Sequence, residues 1–415
     1  MPRQIVVTGI GVLTSIGGDR DAFVCSLRSG VCGITSDESD GLGIAARVPA
    51  VDLEKRLAAL QLPETVRLRA RKAAHRAPPS VQISILTALE GWVQAFGPDD
   101  IASAAPANIV VAGNNISPAY QYRVHERFAH APDLIPASYA LHFLDTDHVG
   151  IVSEVLGIKG EGFTAGGASA SGNTAIIQAW RQILHGVCDT CIVVGAMTDL
   201  SPLELQAFRN AGALGGSRFA GEPALACRPF DQDREGFIYG QGSASLVIES
   251  ADSAKARGAK VLGCIAGGAA CLDASRLSHP SAEAEARAMR LALEQAGLPA
   301  GSVDYVNAHA TSSVAGDEAE AKALKEVFAE RVGRLRINST KGLTGHCLHA
   351  AGVVEAAATL LQMNGRFLHP NLNLKRPVDG GFGFAGAAAE RASIEVALSN
   401  SFGFGGINTA LVLTP

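Results

Sequence analysis

The stretch Thr164 to Ile176, TAGGASASGNTAI, decides how the rest of this chain is read. Two glycines and a run of small residues lead through Ser171, Gly172 and Asn173 into the apolar helical pattern Ala175, Ile176, Ile177, Ala179, Trp180. Small side chains let the backbone turn tightly and come close to a ligand, and a helix starting there points free N–H groups at it. Ser169 sits at that entry, where the helix dipole stabilises the negative charge that develops in acyl chemistry. The same residues would also make a capped turn packed in a core, so the flanking segments have to choose.

Outward from this stretch, strand-like and helix-like segments alternate. Ile5 to Val12 and Asn108 to Ala112 are β-rich runs, and VQISILTALEGWVQAF between them has helical periodicity. After the helix through Leu184 come expected strands at Cys191–Ala196 and Ser245–Glu249. A second half begins near Ala251, with strands expected at Lys260–Ala266, Val303–Ala308, Arg336–Ser339 and Glu395–Leu398. Ala282–Gln295 reads as an amphipathic helix, NSFGFGG as a loop and INTALVLT as a closing strand. The alternation predicts an α/β architecture. ASASGNTAIIQAW and GHCLHAAGVVEAAATL are both glycine-flanked, small-residue helix starts. That echo points to a duplication, with residues 1–250 as one half and 251–415 as the other, each presenting an active group.

Composition narrows the function classes. A chain of 415 residues, 47% hydrophobic, can bury one large core or two ordinary ones. A net charge of -5 gives no basic footprint for nucleic acid. MPRQIVVTGIGV reads directly as a strand without a charged leader or cleavage site, and no apolar run reaches membrane-spanning length. The eight scattered cysteines fit the reduced thiols of a cytoplasmic protein. Cys188-Asp-Thr-Cys191 has redox-motif spacing but no second pair, so no metal site is expected.

Four separated features converge on one chemistry: Ser169, His309, Lys341 with His346, and Phe402-Gly403-Phe404-Gly405-Gly406. The last is no dinucleotide loop, because a strand and not a helix follows it. VTGIGVLTSIG, RPFDQDREGFIYGQG, VNAHATSSVAGD, KGLTGH followed by AAGVVEA, and NSFGFGGINTALVL stand in one order along the chain. Together they resemble the β-ketoacyl-acyl carrier protein synthases of the thiolase superfamily, over essentially the whole length. The resemblance implies the thiolase fold, a duplicated five-layer αβαβα arrangement, in a homodimer or related heterodimer. It also implies a substrate carried on the phosphopantetheine of an acyl carrier protein, with no cofactor bound to the chain itself.

Carried over by position, His309 and His346 resemble the histidines that hold a malonyl thioester carbonyl, and Lys341 the lysine supporting them. The N–H groups of residues 169 and 404 resemble the oxyanion hole, Phe402 and Phe404 the gating pair, and Glu355 the buried glutamate behind the site. Ser278, Thr311 and Ser313 fall where the family contacts pantetheine. The basic segment Arg67, Arg69, Arg71, Lys72 and Arg76 reads alone as a solvated helix face, and falls where related synthases meet an acidic carrier protein. Asn114 and Asn115 lie near the family's acyl-tunnel wall and are more polar than a long chain would favour. Ala310 and Ser313 depart from the family's usual Gly and Thr, which puts the details of pantetheine contact in doubt.

One departure decides the expected activity. Elongating members have Ala-Cys-Ala/Thr-Ser-Gly at the helix entry; this chain has Ala168-Ser169-Ala170-Ser171-Gly172. A thiol there ionises readily, whereas a hydroxyl needs an adjacent base before it attacks. Acyl loading is therefore expected to be slow or absent, while the two histidines can still stabilise the enolate formed on decarboxylation. The pattern is similar to the Cys-to-Ser decarboxylating ketosynthases of polyketide β-branching cassettes, which supply acetyl groups to a 3-hydroxy-3-methylglutaryl-synthase-like partner. Two other readings stand beside it: a slow serine-based synthase or acyltransferase, and a non-catalytic partner like a chain-length factor.

Overall fold

A computed structural model describes residues 3–37, 43–102, 106–275 and 279–415. The first half contributes strands β1 (Ile5–Thr14), β2 (Ala107–Ala112), β3 (Gly162–Ala165), β4 (Thr190–Gly195) and β5 (Gly242–Ser250). The second contributes β6 (Gly263–Leu272), β7 (Tyr305–Asn307), β8 (Arg336–Asn338), β9 (Ala397–Gly403) and β10 (Ile407–Thr414). Within the first half the spatial order is β1-β5-β4-β2-β3, and within the second it is β6-β10-β9-β7-β8. Both sets run first-fifth-fourth-second-third. In both, the first two pairings are antiparallel and the last two parallel. Such a repeat of order and direction is the signature of a duplicated unit. The sets join through β1 and β6 by the pairs Val6↔Cys264 and Val7↔Gly263.

Helices cover the strands in layers. Helix α1 (Glu64–Ala74), α2 (Pro79–Phe96), α3 (Pro118–His130) and α4 (Thr146–Leu156) belong to the first half. Of these, α2 packs on β1 and β5. The central pair is α5 (Ser171–Leu184) and, later in the chain, α8 (Ala351–Gly365), each of which touches strands of both halves. Between them in sequence come α6 (Ala282–Ala296) and α7 (Val314–Phe328), the outer layer of the second half. The layers are thus helix, sheet, helix pair, sheet, helix: the thiolase fold.

The buried residues of α5, among them Ala175, Ile176, Ala179, Trp180 and Ile183, give it the apolar stripe its sequence pattern predicts. At the crossing of the central helices a Cβ on Gly172 would lie 2.7 Å from the backbone nitrogens of Gly352 and Val353. One on Gly352 would lie 2.6 Å from the nitrogen of Asn173. Glycine at both positions is what lets the two helix starts touch, and with them the turns that carry the chemistry.

Three expected boundaries move. The strand expected at 260–266 runs from Gly263 to Leu272, because the small residues of IAGGAACL pair with β10 despite their weak strand propensity. NSFGFGG is strand through Gly403, paired with β10, so the turn is confined to its last residues. The helix expected to run on from His346 begins only at Ala351, after a separate tight turn, Leu348–Ala350.

Candidate active site

Ser169 lies in a single tight turn, Ala168–Ala170, immediately before α5. Ala168 adopts φ +49°, a left-handed conformation that an L side chain takes at a cost. Bonds from Ala170 N–H to Gly167 O (2.9 Å) and from Ser171 Oγ to Ala168 O (2.7 Å) hold the turn. The second half repeats it: Leu348 has φ +50° and the turn Leu348–Ala350 leads into α8. The two turns are in contact, so the duplication delivers two helix entries to one place.

His346 precedes the second turn and is fixed through its backbone. Its N–H donates to Ile238 O at 2.7 Å, and its carbonyl accepts from Gly240 N–H at 3.0 Å. Leu348 N–H donates to His346 Nδ1 at 3.3 Å, which puts the ring proton on Nε2. Nε2–H then donates to Ser169 Oγ at 2.9 Å. The serine hydroxyl oxygen is the acceptor in this pair. Burial pushes the His346 pKa well below the ordinary imidazole value, and Lys341 and His349 push it the same way.

His309 ends the segment after β7. Its backbone N–H donates to Glu320 Oε1 at 2.9 Å, and that of Ala310 to Oε2 at 2.7 Å. Asn400 Nδ2 donates to the same carboxyl at 3.0 Å. One side chain on α7 therefore pins the histidine to β9. The His309 and His346 rings meet edge to face with centroids 5.6 Å apart, and Phe402 stands 5.6 Å from His309 on another side. The His309 pKa too is pushed well below normal by burial, then by Lys341 and His346. Both rings are neutral at physiological pH.

Lys341 and Glu355 are buried behind this pair and joined by a hydrogen bond from Nζ to Oε1. Burial raises the Glu355 pKa to about 7, against the opposing pull of Lys341. The lysine's charge explains part of the depression at both histidines. Gly403 brings β9 against the serine turn: a Cβ there would sit 2.3 Å from Gly167 O, so any larger residue would force the two apart.

A cleft of about 760 Å³ opens over these groups. Ser169, His309, His346, Phe402, Phe404, Thr311 and Ser313 all line it. Phe404 is 48% exposed and faces Phe208 at 6.4 Å, at the rim. Thr311 Oγ1 donates to Ser313 Oγ at 3.0 Å. Ser278 lies outside the described residues. The basic segment does not line the cleft: it lies on and just beyond α1, where Arg67 pairs with Glu64 and Arg71 with Glu54, while Lys72 and Arg76 are exposed. Cys188 and Cys191 are free thiols, both raised in pKa by burial. No metal-binding cluster occurs among the described residues, and no helix there is long and apolar enough to cross a membrane.

Sequence reasoning missed Glu320, Asn400 and Glu285. Glu285 lines the cleft although nearly buried, and burial with the nearby acids Glu320, Asp317 and Asp273 raises its pKa well above normal. Acidic residues in helices read as solvent-facing, and nothing local distinguishes these from their neighbours. Only the Asn of NSFGFGG lay inside a stretch already singled out.

A duplicated α/β scaffold with a hydroxyl and two neutral imidazoles around one cleft defines a thiolase-fold acyl enzyme. More narrowly, the chain belongs to the β-ketoacyl synthase family, whose N-terminal domain matches residues 2–254 and whose C-terminal domain matches residues 262–375. It is 40% identical over 415 residues to the polyketide biosynthesis malonyl-ACP decarboxylase PksF of Bacillus subtilis, covering 99% of this chain and 96% of that one. It is 31% identical to the 3-oxoacyl-[acyl-carrier-protein] synthase 2 of Coxiella burnetii, covering 99% and 98%. Among solved structures, a β-ketoacyl synthase from Burkholderia phymatum superposes with TM-score 0.86 at 28% identity, over 99% of both chains. A type II polyketide ketosynthase in complex with its acyl-carrier protein superposes with TM-score 0.84 at 25% identity, over 100% of this chain and 99% of that one.

Proposed function

We propose that this chain converts malonyl-acyl carrier protein to acetyl-acyl carrier protein and carbon dioxide, without forming a carbon–carbon bond. One observation carries the reading: His346 donates its Nε2 proton to Ser169, because its other nitrogen accepts from Leu348 N–H. An imidazole arranged as a donor is not a base for that hydroxyl, so residue 169 lacks the base its attack on an acyl group would need. The same donor is suited to a thioester oxygen that is becoming an enolate.

With the malonyl thioester bound, its carbonyl oxygen takes the Nε2–H of His346 and the N–H of neutral His309. The bond between Cα and the carboxylate carbon breaks, its electron pair moves into the enolate, and carbon dioxide leaves. Two preorganised donors on the cleft floor stabilise the enolate charge, each worth about 3 kcal/mol when removed singly in comparable sites. Phe402, packed against His309, withholds water from the departing carboxylate. Cα then takes a proton from solvent, giving the acetyl thioester. Burial keeps both rings neutral, and Lys341 adds to it, since a second positive charge beside it would be unfavourable.

The hydroxyls of Thr311 and Ser313 are suited to the amides of a phosphopantetheine arm entering past Phe404. The exposed Lys72 and Arg76 suit an acidic carrier protein. Strand β3 lies at one end of the strand order with Phe163 exposed, and Phe128, Leu134, Leu141 and Phe143 are exposed on the segments before it. A second copy of the chain covering that edge would account for them. The similarity to PksF supports this reading, and places for such an acetyl product exist wherever a 3-hydroxy-3-methylglutaryl-synthase-like partner adds a β-branch to a polyketide. The test is to incubate purified chain with malonyl-carrier protein and weigh the carrier by intact mass. Conversion to acetyl-carrier protein, lost in His346→Ala, supports the proposal; a lengthened β-ketoacyl product overturns it.

A further inference from the structure

Beside Ser169 the cleft wall carries polar side chains that this reaction does not use. The duplication sets His349 at the position in its turn that Ser169 holds in the other, one residue after the left-handed Leu348 and Ala168 respectively. The imidazole therefore stands on the turn facing the serine. Its Nδ1 hydrogen-bonds Thr198 Oγ1 at 2.8 Å, and its Cβ lies 3.6 Å from where a side chain on Gly113 would begin. Asn114 lies beside Gly166, which precedes the serine turn, with Oδ1 3.0 Å from the position a Cβ on Gly166 would take. All three side chains line the cleft.

We infer that His349, bonded to Thr198 and flanked by Asn114, is a specificity-determining residue that makes the cleft beyond Ser169 unfavourable to saturated acyl chains while admitting a two-carbon group. This rests on the reading of the cleft as a thioester site. The cleft reaches solvent beside the exposed Phe404 and Val314, and again beside the exposed Asn114 and Asn115. A thioester reaching residue 169 keeps its carrier arm at the Phe404 end, so its chain has to extend toward His349. There an alkyl chain would meet the ring itself. It would also strip water from the free face of the imidazole and from the Asn114 amide without returning a hydrogen bond to either. An acetyl group ends before that wall.

The experiment reads loading instead of decarboxylation, so it can fail or succeed independently of carbon dioxide release. In a Ser169→Cys background, which supplies a thiol to be acylated, acetyl- and dodecanoyl-pantetheine are offered separately and the protein is weighed by intact mass. Ser169→Cys should take up acetyl at least about tenfold faster than dodecanoyl, the scale of one polar group that loses its water without gaining a partner. Adding His349→Ala, or His349→Gly, should raise dodecanoyl loading at least about tenfold, with retained acetyl loading showing that the site is intact. Dodecanoyl loading of Ser169→Cys at the acetyl rate overturns the inference. So does a double variant that loads acetyl and still refuses dodecanoyl.

Discussion

Removing the hydroxyl of residue 169 should preserve or raise the rate of carbon dioxide release. In the free enzyme His346 Nε2–H is engaged by Ser169 Oγ at 2.9 Å, and that bond has to break before the thioester oxygen can accept the same proton. A neutral hydrogen bond of this kind contributes about 1 kcal/mol net. Ser169→Ala removes the competitor, so kcat/KM for malonyl-carrier protein should rise by up to about fivefold, mainly through a lower KM. His346→Ala removes the donor itself and should lower kcat by about 100- to 1,000-fold, the range for a single lost oxyanion donor. The assay is initial-rate carbon dioxide release from malonyl-carrier protein, paired with intact mass of the enzyme to detect an ester on residue 169. A tenfold or greater loss in Ser169→Ala, or a serine ester that forms and disappears at the turnover rate, would refute the reasoning, since either makes the hydroxyl a nucleophile.

Other outcomes follow from the same geometry. Both imidazoles are held below their ordinary pKa, so they stay neutral as pH falls through the normal imidazole range; the rate should be level from about pH 8 to about pH 6, and an acid limb centred at about 6.5 would contradict it. Glu320→Ala releases the N–H groups of His309 and Ala310, and thermal unfolding should show a loss of about 2–4 kcal/mol together with activity, whereas Glu320→Gln, still able to accept one of those bonds, should lose less. Gly403→Ala would put a carbon 2.3 Å from Gly167 O and should lower kcat by at least about 100-fold with secondary structure retained on circular dichroism, because the serine turn and β9 must separate.

The residues gathered at the cleft floor were legible in the sequence, and the residues that hold them in place were not. Ser169 stands in a glycine- and small-residue stretch that marks a tight helix entry, while His309, Lys341, His346 and Phe402 were picked out through the resemblance of their stretches, taken in order, to the β-ketoacyl synthases. Glu320 acts across space on the backbone of His309, eleven residues away, from a helix whose first turn reads as an ordinary acidic start. The tautomer of His346 depends on one N–H at a left-handed Leu348, and nothing about a leucine announces that conformation. Strands were found where β-branched residues concentrate, as in Ile109, Val110 and Val111, and displaced where Gly and Ala pair by position, as in Gly267 to Ala270. The segment from Pro118 to Leu156 drew no assignment from sequence, yet α3 and α4 form there and α3 opens beside the cleft through Pro118 and Gln121.

The matched corners at Ala168 and Leu348 leave the molecule with two seats facing each other across one floor. A scaffold copied from itself can change the occupant of one seat while its twin and the shared foundations stay put. In the reaction proposed above, oxygen in place of sulfur in a single seat is what leaves carbon dioxide release without carbon joining, over a strained corner that both seats share. The opposite seat, filled here by an imidazole, is where the next change of appetite would be written.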